Sequence, residues 1–158
     1  MARNSGKKIN ELEDPNKYKV GVYIRTGKKV EGLDATVFQR DRIEEYCNDL
    51  GLTILEEYVD DGVDMFAKEK PEYQRMIKDI KEGKIDLVVS ANLVRIARSK
   101  NEVIQVAELA QQLGFRVLLS DSREEIILDK INKDTVDQLL NEQSDIEEEI
   151  EEDDEMEF

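Results

Sequence analysis

The 158-residue chain contains no histidine and no tryptophan, one cysteine and two prolines. Without histidine, catalysis by an imidazole base is excluded, and so is a His/Cys metal centre, because Cys47 stands alone. A lone cysteine likewise rules out a disulfide scaffold. No apolar run approaches the roughly 20 residues needed to cross a bilayer, and residues 1–17 are polar, without the apolar stretch of a secretory leader. These absences lead us to expect a cytoplasmic or nucleoid-associated protein with no membrane partner and no cofactor.

What is present is a core and an excess of charge. Hydrophobic and charged residues each make up 39%, enough of the first to fold and more of the second than the usual quarter. Lys and Arg total 23 against 38 Asp and Glu, a net charge of −15. Ten of those acids lie in the last fourteen residues, Asp145–Phe158, with no base among them; the rest of the chain carries 23 bases and 28 acids, a net of −5. Such a like-charge block repels itself, so 144–158 reads as a disordered acidic tail. Residues 1–17 read as a flexible arm.

Between the ends, strand and helix periods alternate. Tyr18–Arg25, Leu52–Val59, Ile85–Ala91 and Phe115–Ser120 read as strands. Ile43, Tyr46, Cys47 and Leu50 fall on one helical face before Gly51; Tyr73, Met76, Ile77 and Ile80 do so between Pro71 and Gly83. Ser99 and Glu102 form a capping-box pattern ahead of Val103, Val106, Ala107, Ala110 and Leu113, with Gly114 as the stop. This order predicts an α/β fold, a three-layer sandwich with a mainly parallel sheet over 18–122. Ile127, Ile131, Val136, Leu139 and Leu140 predict one or two further helices over 123–143, whose apolar stripe either docks a partner or packs onto its own sheet. Cys47 reads as an inert core thiol, and Met65–Phe66 as an exposed contact point or a plug.

In such sheets, function collects at the carboxyl ends of the strands. There the sequence sets Arg25, the acid pair Asp60 and Asp61, Arg95 and Arg98, and Ser120 with Asp121. Guanidiniums suit phosphate oxygens, although charges of this kind also pair with one another on a solvated rim. The local motifs occur in a definite order: Tyr23-Ile24-Arg25-Thr26-Gly27, Gln39-Arg40, Tyr58-Val59-Asp60-Asp61-Gly62, Lys70-Pro71, and Leu93-Val94-Arg95-Ile96-Ala97-Arg98-Ser99 after a buried strand.

This order resembles the N-terminal catalytic domain of the serine recombinases, the resolvase/invertase family, from about Val20 to Ser120. Members cut DNA by attack of a serine hydroxyl on a phosphodiester. The resemblance implies that Arg25, Arg95 and Arg98 correspond to the family's phosphate-binding arginines, Gln39 to its active-site glutamine and Asp60 to its acid after the second strand. It also exposes departures. Gly27 occupies the position of the nucleophilic serine and has no side chain to form the covalent intermediate. Thr26 is one residue away and should face oppositely in an extended segment. Asp64-Met65 replaces a Ser-Gly, Lys70 stands for an arginine and loses its bidentate fork, and Val94 stands for an acid.

Several losses together suggest a catalytically inactive relative that acts by binding other proteins, an active serine recombinase or a second copy of itself, and modulates DNA recombination. The alternative is a DNA- or phosphate-binding subunit that keeps a nicking or strand-exchange role through a substitute hydroxyl such as Thr26 or Ser90. Family members carry a separate DNA-binding domain beyond the long helix, and here the acidic tail follows instead. Ten acids oppose nonspecific attraction to duplex DNA, so DNA contact should be weak.

Overall fold

The structure is a computed structural model that describes residues 6–27, 35–63, 69–131 and 140–141. Among these, six strands form one sheet: β1 (Gly6–Lys8), β2 (Val20–Arg25), β3 (Ile54–Asp60), β4 (Leu87–Ser90), β5 (Arg116–Leu119) and β6 (Glu124–Ile126). Four helices accompany them, α1 (Ala35–Leu50), α2 (Pro71–Lys81), the single turn α3 (Leu93–Ile96) and α4 (Lys100–Leu113). The spatial order is β1-β6-β5-β4-β2-β3. The β2–β3, β2–β4 and β4–β5 pairings are parallel, whereas β6 pairs antiparallel with both β5 and β1.

The expected three-layer α/β sandwich is therefore present. Helix α1 covers one face: Ile43, Tyr46, Cys47 and Leu50 pack with Val20, Val22, Ile24, Leu87, Val89 and Leu118. On the other face α2 and α4 bring Met76, Ile80, Val103, Val106 and Ala107 against Tyr23, Tyr58, Val88, Val117 and Leu119. Strand β2 lies inside the sheet and is buried along its whole length, which explains why its apolar run shows only weak alternation. At Gly21 a Cβ would stand 3.0 Å from the Tyr58 ring and 3.1 Å from Ile85, so a side chain there would require these neighbours to give way. The boundary signals work as physical chemistry predicts. Pro71 opens α2, and Gly114, at φ 76°, donates its N–H to the Ala110 carbonyl to close α4.

Two expectations are corrected. Residues 6–17 are not a loose arm. Gly6–Lys8 pairs with β6, Ile9 is buried, its N–H donates to the Arg123 carbonyl at 2.8 Å, and the Tyr46 hydroxyl donates to its carbonyl at 2.6 Å. Ile9, with Leu12 packed against the same core cluster, and backbone pairing hold this segment, and they leave no periodic pattern. Of the 123–143 stretch expected to be helical, residues 123–131 form strand β6 and a 3₁₀ turn, Leu128–Lys130, while Leu140 and Asn141 are helical. Their apolar side chains face inward: Ile126 and Leu140 belong to the core beneath α4, with Leu128 and Ile131 packed against it. Val136, Leu139, the Met65–Phe66 pair and the acidic tail lie outside the described residues. No helix among the described residues is long and apolar enough to cross a membrane.

Candidate functional site

β2 and β4 lie side by side, but the chain leaves them toward opposite edges of the sheet, so their carboxyl ends flank the switch point where α/β folds place ligands. Arg25 ends β2 and is fully buried. Its Nη1 donates to the Val63 carbonyl at 2.9 Å and its Nη2 to the Val94 carbonyl at 2.7 Å. The Arg25 carbonyl in turn accepts from Gln39 Nε2 at 2.9 Å and from Arg95 Nη1 at 3.0 Å. Three of the sequence-predicted residues thus meet at one peptide group, tying α1, β2 and α3 together. Gln39 Oε1 is buried without a hydrogen-bond partner among the described residues.

Asp60 is also buried, but its carboxylate faces helix α2. Oδ1 accepts from the Glu72 N–H at 3.0 Å; Oδ2 accepts from the Tyr73 N–H at 3.1 Å and from the Tyr23 hydroxyl at 2.8 Å. These are first-turn N–H groups that would otherwise lack partners, and a carboxylate there also complements the helix dipole. The cap comes from the preceding strand because the residue at the cap position itself is Lys70, which offers no acceptor. Burial and the bond to Asp60 push the Tyr23 phenol far above its ordinary pKa, so it serves as a fixed donor.

Lys70 and Arg98 line a groove between α2 and α4 of about 570 Å³. Burial, followed by the nearby Arg25 and Arg98 guanidiniums, holds the Lys70 pKa below the ordinary lysine value; Glu102 acts in the opposite direction. Arg98 is half-exposed and engages Glu102: its Nε lies 3.3 Å from Oε1, and its N–H donates to Oε2 at 2.6 Å. The capping box is accordingly shifted. Ser99 Oγ accepts from the Glu102 N–H at 3.3 Å, but the Glu102 carboxylate returns to the N–H of Arg98.

Thr26 and Gly27 follow Arg25, and both are buried. The Thr26 hydroxyl donates to Asp61 Oδ1 at 2.6 Å and accepts from the Gly62 N–H at 3.0 Å. The Thr26 N–H donates to the Asp60 carbonyl and the Val63 N–H to the Thr26 carbonyl. Thr26 is a clasp between the ends of β2 and β3. Ser90, also considered as a substitute hydroxyl, is fully buried and donates to the Tyr23 carbonyl at 2.8 Å.

Arg25, Gln39, Asp60, Lys70, Arg95 and Arg98 therefore divide into a buried knot, a helix cap and a groove rim. Glu102 and Tyr23 were not picked out for the site from sequence. The i, i+4 spacing of Arg98 and Glu102 carried a signal for the former; nothing local marked Tyr23, whose partner is 37 positions away. Ser120 is buried and Asp121 exposed at the end of β5. Asp121 lies 3.5 Å from Arg42 and accepts from Asn92 Nδ2 at 3.2 Å, so it joins neither Arg25 nor Lys70.

Helices on both faces of this sheet, and a knot of two arginines and a glutamine at its switch point, define a class only in combination with the sequence. The sequence model described as Resolvase, N terminal domain matches residues 20–153. The chain belongs to that family and is a serine recombinase-like domain. No curated protein matches it. Among solved structures it is similar to the N-terminal catalytic domain of TP901-1 integrase, with a TM-score of 0.60 and 21% identity over 84% of this chain and 98% of that one. It is also similar to a resolvase family site-specific recombinase from Streptococcus pneumoniae, with a TM-score of 0.54 and 23% identity over 87% and 94%. The C-terminal catalytic domain of ISC1926 TnpA, an IS607-like serine recombinase, gives a TM-score of 0.56 and 16% identity over 63% and 68%. At these identities the likeness establishes the fold.

Proposed function

We propose that this chain is a serine recombinase-like domain that does not cut DNA and that acts as a regulatory subunit, binding an active serine recombinase and modulating its recombination. The observation that carries the reading is Gly27 at the family's nucleophile position, immediately after an Arg25 whose Nη donors are already engaged by the Val63 and Val94 carbonyls. Cleavage in this family needs a hydroxyl that attacks phosphorus and guanidiniums aimed at the phosphate. Glycine supplies no hydroxyl. Both neighbouring hydroxyls, Thr26 and Ser90, are buried and donate to fixed acceptors.

The retained family fold gives such a subunit a natural partner, since a chain that shares a recombinase's architecture can present related surfaces to it. The test is co-purification of the tagged full-length protein with recombinases from its own host, followed by mixing the purified pair. The reading expects a stable complex whose partner recombines its DNA at an altered rate. A partner unaffected by saturating amounts of this chain overturns it.

A second reading, a phosphate- or DNA-binding subunit that retains nicking or strand exchange, is favoured by Lys70 and Arg98 at the groove. It requires a covalent link between the chain and DNA, or DNA binding that Lys70→Gln and Arg98→Gln weaken.

A further inference from the structure

The sheet has two margins, and the outer side of a marginal strand is a template to which a foreign strand can add. At one margin β1 is three residues long and carries Lys7 and Lys8, so it offers little to a second chain. At the other margin β3 is seven residues long and pairs, among the described residues, only with β2. Alternation along β3 shows which of its backbone groups face outward. The Asp60 carbonyl accepts from the Thr26 N–H at 3.0 Å, and the register with β2 is unbroken from the Gly21–Glu56 pair to the Arg25–Asp60 pair. Glu56, Tyr58 and Asp60 therefore bond toward β2, while Glu57 and Val59 turn their backbone groups to the open side.

The outward Glu57 carbonyl is already engaged. Arg75 reaches across from α2 and donates its Nη2 to that oxygen at 3.2 Å. The guanidinium is fixed on its other sides: Nε and Nη2 donate to the Glu72 carboxylate at 2.9 Å each, Nη2 lies 3.4 Å from Glu56 Oε1, and the central carbon stands 4.2 Å from the centre of the Tyr58 ring. Its planar fork meets a carboxylate and a carbonyl together. Charge alone does not protect this edge, because Arg40 neutralises the Glu57 carboxylate through bonds of 2.8 and 2.6 Å. Nor does polarity. The register slips by one residue between the Val20–Ile54 and Gly21–Glu56 pairs, and the extra residue of that bulge, Leu55, is 58% exposed.

We infer that Arg75 guards the β3 edge and keeps it from pairing with β3 of a second copy. A two-fold antiparallel meeting of two such strands centres on Glu57, where each N–H donates to the other copy's Glu57 carbonyl. Val59 of each copy then falls beside the exposed Leu55 of the other, apolar against apolar. Arg75 Nη2 takes the position of the incoming N–H, so the central pair of that ladder cannot form while the guanidinium is in place.

The experiment compares the full-length wild type with Arg75→Ala by sedimentation velocity over a rising concentration series, with amide hydrogen exchange of residues 54–60 read on the same samples. Arg75→Ala should gain an association step that the wild type lacks, roughly doubling the weight-average mass at the top of the series. Over that range the Glu57 and Val59 amides should come to exchange about tenfold more slowly. Because Arg75→Ala also removes an ion pair from α2, Glu72→Gln serves as the second variant: it breaks that pair, keeps the guanidinium, and should sediment as the wild type does. The guard is overturned if the mass of Arg75→Ala follows the wild type throughout, if its association leaves residues 54–60 exchanging faster, as in an unfolded aggregate, or if Glu72→Gln associates equally. None of these readings involves DNA or a recombinase partner, so the inference fails separately from the proposed function.

Discussion

Arg95 donates its Nη1 hydrogen to the backbone carbonyl of Arg25 at 3.0 Å, so two arginines that the family resemblance sets at a phosphate are tied to one another through the backbone. Gln39 donates to the same oxygen. The arrangement makes the strand end rigid and gives the arginines structural tasks. Replacing them should therefore destabilise the chain. Arg25→Leu strands the carbonyls of Val63 and Val94 and should cost about 3 kcal/mol, whereas Gln39→Leu removes one of two donors and should cost about 1 kcal/mol. Urea denaturation followed by circular dichroism measures both. A stable Arg25→Leu protein would show that the knot is not what holds the β2 end.

Asp60 offers a related contrast. It accepts three hydrogen bonds at the head of α2, and Asp60→Ala should cost about 2–3 kcal/mol by leaving two N–H groups and a phenol unsatisfied. Asp60→Asn, which keeps one oxygen, should fall between. Equal stability of the Ala variant and the wild type in the same denaturation series would contradict the capping role.

Alkaline pH should destabilise the fold. Burial pushes the pKa of Tyr46 and of Tyr73 up to about 12, and that of Cys47 up to about 12 from 9.0. Between about 9 and 12 the unfolded chain has released protons that the folded chain retains, so stability is intact below that window and falls as pH rises through it. Melting temperatures across pH 8–11 should show the decline. In the native protein at pH 8 the Cys47 thiol should resist alkylation and react only as the chain unfolds. Rapid labelling without unfolding would place it at the surface.

Gly27→Ser puts a hydroxyl back at the family's nucleophile position. The expected outcome is still no covalent protein–DNA species, because Arg25 remains bound to two carbonyls, and Lys70 and Val94 stand where the resemblance sets an arginine and an acid. A denaturing gel of the variant incubated with supercoiled DNA from its host reads this directly. An adduct at the hydroxyl introduced by G27S would mean that the missing nucleophile alone silences the chain.

The architecture was legible where each element buries an apolar face. Ile43–Leu50, Tyr73–Ile80 and Val103–Leu113 carry helical spacing because α1, α2 and α4 each rest one side on the sheet. It was not legible where backbone pairing supplies the structure: Gly6–Lys8 and Glu124–Ile126 are short strands of three residues at one margin of the sheet, too short for any period, and polar because one or both faces are wet. The site was half legible. Order and spacing brought Arg25, Arg95 and Arg98 to one sheet edge and the family resemblance added Gln39, but which way a guanidinium points depends on carbonyls 38 and 69 positions away. Asp60 reads as an active-site acid until the absence of a side-chain acceptor at Lys70 is set beside the first-turn N–H groups of α2.

The central claim is that this recombinase-like chain makes no covalent bond to DNA. The most direct test is to express the tagged wild-type protein in its own host, isolate it under denaturing conditions that preserve phosphoester links, and map any nucleotide-modified residue by mass spectrometry. The account predicts no modified hydroxyl anywhere in the chain, with a co-expressed active serine recombinase giving its serine adduct in the same sample. A nucleotide on Thr26, or on any other hydroxyl of this chain, would contradict it.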